Sequence, residues 1–267
     1  MRLRRFRRRR SRVVGRPELS RFERLLLSTG GIVLVLVLWQ VLSATGKLDP
    51  LIWSSPEQIW NAFWDMTSDG TLGPLVLESA KLFVVSFAIS IVSGILIGAI
   101  IGWYAVVRAV VDPWISLLYA MPAIALIPLL VVALGVSFET QVIVVWMVAV
   151  FPVIINVSAG VQAIDRRHLQ LARSFLASNR NVLWGVAIPG AVPYMVAGIQ
   201  QAIALSLIGV VGAEYFVGDS GLGGLVILAS QTLQTAEAYV AVAIFAFAGL
   251  LSTGLMRYVE RRVIRWK

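Results

Sequence analysis

The chain has 267 residues, of which 58% are hydrophobic and 14% charged, with a mean hydropathy of +0.84. An ordinary soluble domain carries about 25% charged residues, so a soluble fold is excluded in favour of apolar runs of about twenty residues, the length that spans ~30 Å of hydrocarbon. The absence of cysteine excludes disulfides and thiolate metal sites, and the net charge of +9 raises two partners, nucleic acid or an anionic lipid surface.

The chain opens on a basic tail, residues 1–24, beginning MRLRRFRRRR. A hydrophobic run follows at once, so the tail reads as an orientation signal and a contact for anionic lipid, each basic residue near the surface contributing about 1 kcal/mol, and not as a nucleic-acid arm. The basic region is long and no A-x-A site follows the apolar run, so Leu25–Ala44 is expected to be a retained first span and not a cleaved signal. Residues 25–50 hold that span and an outer loop. Residues 51–81 form an outer interfacial region. Within it Ser55, Pro56 and Gln58 have the spacing of a capping box with proline at the first helical position. Ile59, Trp60, Phe63 and Trp64 then recur at helical spacing, which predicts a short helix on the outer membrane face, where tryptophan favours the interface.

Five further spans are expected between residues 82 and 258, at about Leu82–Val107, Trp114–Leu134, Val142–Val161, Ala191–Ala213 and Ala238–Tyr258. A polar loop, 162–190, interrupts them, and a second basic tail, 259–267, closes the chain. Of the 23 Lys and Arg residues, only Lys47 and Lys81 fall on one side of this arrangement. The positive-inside rule places the others in the cytoplasm. Both termini are then cytoplasmic, which requires an even number of spans and agrees with six. The predicted fold is therefore all-α, integral to the membrane, with six transmembrane helices, cytoplasmic N and C termini and a short periplasmic interfacial helix.

Small and kinking residues dominate the spans. Ser90, Gly94, Gly98 and Gly102 repeat every four residues on one face of the second span, clearing a path for close helix packing. Pro113, Pro122 and Pro128 interrupt the third, and Pro152 the fourth. Each removes a backbone hydrogen bond, and such breaks are tolerated beside protein or a water-filled cavity. The third span, with Met121 beside Pro122, is thus a candidate to line a pathway. Span five adds the polar candidates Gln200, Gln201, Ser206 and, at its outer end, Glu214. For the two glutamines, interhelical hydrogen bonding stands beside pathway lining as a reading.

Enzyme chemistry is nearly absent, and no catalytic or metal-binding residue is expected. The single histidine, His168, has no cysteine or carboxylate cluster to make a zinc site. No Ser-x-x-Lys or Gly-x-Ser-x-Gly nucleophile motif occurs. The glycines of GDSGLGGL lack the lysine of a phosphate-binding loop, and a turn re-entering towards the mouth of the protein is expected there. Without a Walker A motif the chain does not hydrolyse ATP by itself. The spans carry neither midplane charges nor a selectivity ring, as a proton-coupled carrier or channel would, so the driving chemistry is expected from a partner.

In the polar loop, Asp165 is placed to cap a helix in which Leu169, Ala172, Phe175 and Leu176 share a face, before SNRN at Ser178–Asn181 breaks it. Such a face suits lipid headgroups or a groove on a partner. The stretch LARSFLASNRNVLWGVAIPGAVPYMVAGI resembles the cytoplasmic signature loop of permease subunits of bacterial ATP-binding-cassette importers. Gln170, Leu171 and Ala172 stand at the family's Glu-Ala-Ala positions. Arg173, Ser174, Ala177 and Ser178 fit its continuation, Leu176 stands where the family has glycine, and Ile188-Pro189 stands at its Leu-Pro. WSSPEQIWNAF, DPWISLLYAMPAIALIPLLVVALG and GDSGLGGLVILASQTLQT are similar to the nitrate/sulfonate/taurine branch of that family, so the resemblance runs from about Leu51 to the C terminus.

The resemblance implies a homodimer in the bacterial inner membrane, two cytoplasmic ATPase subunits that bind the ATP and Mg, and an extracytoplasmic solute-binding protein. It makes the helix near Asp165–Ser178 a coupling helix, with residues 170–178 coupling to the ATPase, Leu171 and Phe175 filling a groove on it and Arg173 making a polar contact. The substrate it implies is a small organic anion such as a sulfonate, with nitrate or bicarbonate, or an aromatic heterocycle (a pyrimidine or riboflavin), as rivals. A secondary transporter and a non-transporting scaffold are the alternatives outside the family.

Overall fold

The computed structural model describes residues 20–49, 51–217 and 220–263, and every regular element among them is helical. The helices are α1 (Arg21–Ala44), α2 (Pro56–Ser68), α3 (Leu72–Trp103), α4 (Ala105–Ala120), α5 (Ala123–Leu134), α6 (Phe138–Gln162), α7 (Arg166–Ser174), α8 (Asn179–Val182), α9 (Ile188–Val217), α10 (Gly221–Gln231) and α11 (Thr235–Val263), with a π-helical segment at Leu183–Ala187. Four stretches are long and apolar enough to cross a membrane: Leu72–Trp103, Phe138–Gln162, Asn179–Val217 and Thr235–Arg262. The pair α4 and α5, bent by 95° between them, makes a fifth if counted as one span. The apolar part of α1, Thr29–Ala44, is shorter. Most of the basic N-terminal tail, the end of the C-terminal one, and Asp219 lie outside the described residues.

The core is α6, held between α3 and α9. Val144, Val145, Ala149, Val153 and Val157 on α6 are fully enclosed. Lipid tails are as apolar as these side chains, so close packing, and not exclusion from water, joins the helices. The four-residue stripe of α3 provides it. A Cβ on Gly94 would lie 2.6 Å from that of Val153, one on Gly98 2.7 Å from the carbonyl oxygen of Ile154, and one on Gly102 2.8 Å from that of Ser158. On the other side of α6, a Cβ on Gly198 of α9 would lie 3.0 Å from the carbonyl oxygen of Pro152, and one on Gly160 2.7 Å from Cβ of Tyr194. Glycine and serine thus let three backbones approach where any larger residue would separate them.

Outside this core, α2 carries the capping box read from the sequence. Ser55 Oγ accepts from Gln58 N–H at 3.2 Å, and Gln58 Oε1 accepts from Ser55 N–H at 2.8 Å. Ile59 and Phe63 turn inward to a cluster with Met66, Leu72, Leu222, Leu225 and Val240, while Trp60 and Trp64 stay exposed. α1 touches the rest lightly, through hydrogen bonds between Gln40 and Glu57 and an edge-on contact of Trp39 with Tyr239.

Three expectations are corrected. The second span does not run on to Val107: α3 stops at Trp103, Tyr104 is extended, and Val107 belongs to α4. The third span is not one helix. Met121 and Pro122 are both extended, and Pro122, which cannot donate an N–H and disfavours helix in the residue before it, separates α4 from α5. Pro113 and Pro128 stay inside their helices. The glycine-rich outer segment is not only a turn but an 11-residue helix, α10, lying against α3, α9 and α11.

Candidate functional site

Two features stand out, at different places on the bundle. The first is the loop that joins the two central helices, α6 and α9. Asp165 caps α7, its Oδ1 accepting from Arg167 N–H at 2.8 Å. The helix ends after Ser174 in a Schellman turn, in which Ala177 N–H reaches back to the carbonyl oxygen of Ala172 at 3.3 Å. That turn needs a left-handed residue at its centre, and Leu176 supplies it with φ of 57°. Glycine has no Cβ to clash in that region, whereas an L-residue such as leucine pays roughly 1–2 kcal/mol to enter it. The turn is therefore made without the usual glycine. Ser178 then caps α8, accepting from Asn181 N–H at 3.3 Å. Next, Pro189 has no N–H for the carbonyl oxygen of Gly185, and the helix widens into its π-helical segment before α9 continues.

This chain of caps leaves apolar side chains outside. Leu171 is 58% exposed, Phe175 78% and Leu176 93%, while Leu169 and Ala172 are half-buried towards the bundle. Gln170 and Ser174 are also exposed, Ala177 is half-buried, and the side chain of Arg173 lies outside the described residues.

The second feature is a groove of about 520 Å³ along α4, α5, α6 and α9. Tyr119, Met121, Ile127, Met147, Phe151 and Leu205 are among its lining residues, none of which is charged. The α4–α5 break opens it, because Met121 and Pro122 sit at the corner. One turn from Leu205 along α9, on the α7 side, stands Gln201. Its Oε1 accepts from Asn156 Nδ2 at 3.1 Å, and its own amide N–H groups have no partner among the described residues.

The other polar positions of α9 stand elsewhere. Gln200 donates to Glu260 of α11 at 3.0 Å. Ser206 is fully buried, and its hydroxyl has no partner among the described residues. Glu214 is 1% exposed, lies near the α10 end, and does not line the groove. Of the residues singled out in the sequence as pathway candidates, Met121 is among those lining the groove, and Gln200, Gln201, Ser206 and Glu214 are not. Tyr119, Met147 and Phe151 were missed, because an apolar residue lining a groove looks in sequence like one facing lipid.

The sequence matches the profile of the family described as binding-protein-dependent transport system inner membrane component over residues 90–265, which takes in α6, the α7–α8 loop, α9, α10 and α11. The chain belongs to this family. It is 31% identical to the putative aliphatic sulfonates transport permease protein of Escherichia coli (strain K12), covering 87% of this chain and 88% of that one. It is 28% identical to the taurine transport system permease protein of the same organism, covering 90% and 89%. It is also 28% identical to the nitrate import permease protein of Synechocystis sp., covering 87% of each. The chain is thus an ABC-type transport permease of the nitrate, sulfonate and taurine branch, a multi-pass protein of the cytoplasmic membrane.

Proposed function

We propose that this permease forms the solute pathway of an ATP-driven importer as a pair of identical copies, each docked through α7 on a separate cytoplasmic ATPase subunit that binds the ATP and Mg. A solute-binding protein delivers substrate to the opposite face. In this reading α1, α3, the α4–α5 pair, α6, α9 and α11 are six spans, both termini are cytoplasmic, and α2 and α10 lie at the outer surface. The basic tails then flank the cytoplasmic face, where anionic lipid attracts them.

The observation that carries the proposal is the exposed apolar triad of Leu171 on a short helix capped at both ends and Phe175 and Leu176 in the turn that closes it, between the two most tightly packed helices of the core. An amphipathic helix of this kind fits a partner groove, and its attachment to α6 and α9 gives a route by which ATPase closure moves the pathway walls. The groove supports the substrate reading. Its uncharged lining suits a solute with an organic body, and the free amide of Gln201 suits an anionic head such as a sulfonate. The aromatic lining, Tyr119 and Phe151, keeps an aromatic heterocycle as the second reading.

The test is native mass spectrometry of the complex taken from membranes in mild detergent, beside a variant with Leu171→Asp and Phe175→Asp. Two permease copies with two ATPase subunits, the latter lost in the variant, are expected. A complex without an ATPase, or one indifferent to the variant, would overturn the proposal in favour of a secondary transporter or a scaffold.

A further inference from the structure

The glycine-rich segment before α10 has an occupant, and it comes from the chain itself. The first N–H groups of a helix have no partner within it. In α10 the side chain of Ser220 makes no cap bond, and Glu78 and Ser79 of α3 and Glu214 of α9 take the N–H groups instead. Gly221 N–H donates to Glu78 Oε2 at 3.0 Å, Leu222 N–H to Ser79 Oγ at 2.8 Å, and Gly223 N–H to Glu214 Oε2 at 2.7 Å. Ser79 Oγ in turn donates to Glu214 Oε1 at 2.6 Å. Both oxygens of the Glu214 carboxylate are thus engaged, one by α10 directly and one through α3.

The glycines fit this carboxylate. Gly221 has φ of 76°, in the left-handed region, and a Cβ there would overlap Glu214 Oε1. A Cβ on Gly223 would lie 2.8 Å from Cβ of Glu214. Ser79 is 4% exposed and Glu214 1%. An acidic group enclosed this far needs every hydrogen bond it makes, and the N terminus of a helix is where an anion is best received. Glu214 therefore occupies the end of α10 as an internal hydrogen-bond acceptor, both of its carboxyl oxygens engaged.

We infer that Glu214 is a positioning residue for transport: with Ser79 it locks the N terminus of α10 to α3 and α9, so that the outer end of the pathway moves as one body with the core helices. Without the lock, α10 would pivot at Gly221, and motion started at α7 would not reach the outer face. The transport consequence rests on the importer reading above. The lock itself does not.

The experiment keeps the two apart. The chain has no cysteine, so Leu228→Cys on the exposed face of α10 and Ile208→Cys on that of α9 each take a single spin label. Glu214→Gln, which keeps the volume but replaces one accepting oxygen with a donor, and the milder Ser79→Ala are placed in both backgrounds. Label mobility is measured in the purified permease. Binding-protein-driven uptake and retention of the ATPase subunit are measured in the reconstituted complex of the same variants without the cysteine substitutions. The expected result is a more mobile label at position 228 with that at 208 unchanged, and uptake turnover per assembled complex lower by about tenfold, the order of leaving a buried donor unpaired, with the ATPase subunit still retained. Unchanged mobility at 228 in both variants would overturn the lock. Raised mobility with unchanged turnover per complex would overturn its role in transport. A wild-type complex that contains no ATPase would overturn the importer reading while leaving the mobility result to decide the lock.

Discussion

Leu176 offers the sharpest quantitative test, because one residue carries two separable effects. Its backbone is left-handed and its side chain is 93% exposed. Replacement by alanine removes the side chain and keeps the backbone strain. Replacement by glycine removes both. If the side chain fills a groove on the ATPase, each variant loses the burial of one leucine per copy, roughly 1.5–3 kcal/mol, or about tenfold to a hundredfold in docking affinity. The Schellman turn is already formed in the free permease, so the strain is present before and after docking and cancels from the affinity. Leu176→Ala and Leu176→Gly are thus expected to weaken docking alike, to within the ~0.8 kcal/mol of the one methyl group that alanine keeps. They differ in the turn itself. Glycine relieves about 1 kcal/mol of strain that alanine retains, a factor of about five in the local opening equilibrium. Hydrogen exchange reads this at the amide of Ala177, whose bond to Ala172 closes the turn, with slower exchange in the glycine variant. Slower exchange in the alanine variant would refute the strain reasoning, and wild-type docking by both variants would refute the assignment of the side chain.

The other expectations concern packing, capping and the groove. Gly98→Ala places a methyl group against the backbone of Ile154 and is expected to cost about 1–3 kcal/mol, seen as a lower thermal aggregation midpoint in detergent. Gly73→Ala, with no described residue within 4 Å of the added Cβ, should leave that midpoint unchanged or slightly higher, and equal behaviour of the two would undo the close-approach account of α3 and α6. Ser55→Ala removes one half of the α2 capping box and is expected to cost about 1 kcal/mol, read as faster amide exchange at Gln58; protection equal to wild type would mean the cap contributes nothing. Gln201→Leu should lower uptake of an anionic solute by about tenfold while leaving ATPase retention intact, and unaltered uptake would remove Gln201 from the pathway.

What could be read in the sequence was local. The α2 capping box lies within four residues, and the stripe from Ser90 to Gly102 needs only the helical repeat to fall on one face. The bend between α4 and α5 was half legible. Three prolines announced that the third span is irregular, but which of them breaks it is decided by surroundings. Pro113 and Pro128 are carried within helices, and Pro122 alone coincides with a corner. The turn after α7 was legible in position and not in conformation, since a leucine does not advertise a left-handed backbone.

Glu214 is the instructive case. In sequence it is one more polar residue at the outer end of an apolar span, equally suited to lining a pathway. Its meaning depends on Ser79, which is 135 residues away, and on the N terminus of a helix whose opening glycines read as a turn. Helix α10 has no cap of its own, so a capping pattern could not find it: its start is defined by side chains of α3 and α9, not by the residues adjoining it. One signal was nonetheless present. An acidic residue in an apolar helix needs a partner, and Gly221 and Gly223, seven and nine residues on, supply the backbone N–H groups and the empty space that a carboxylate can use. Read together, the glutamate and the glycines predict each other, whereas either alone suggests something else.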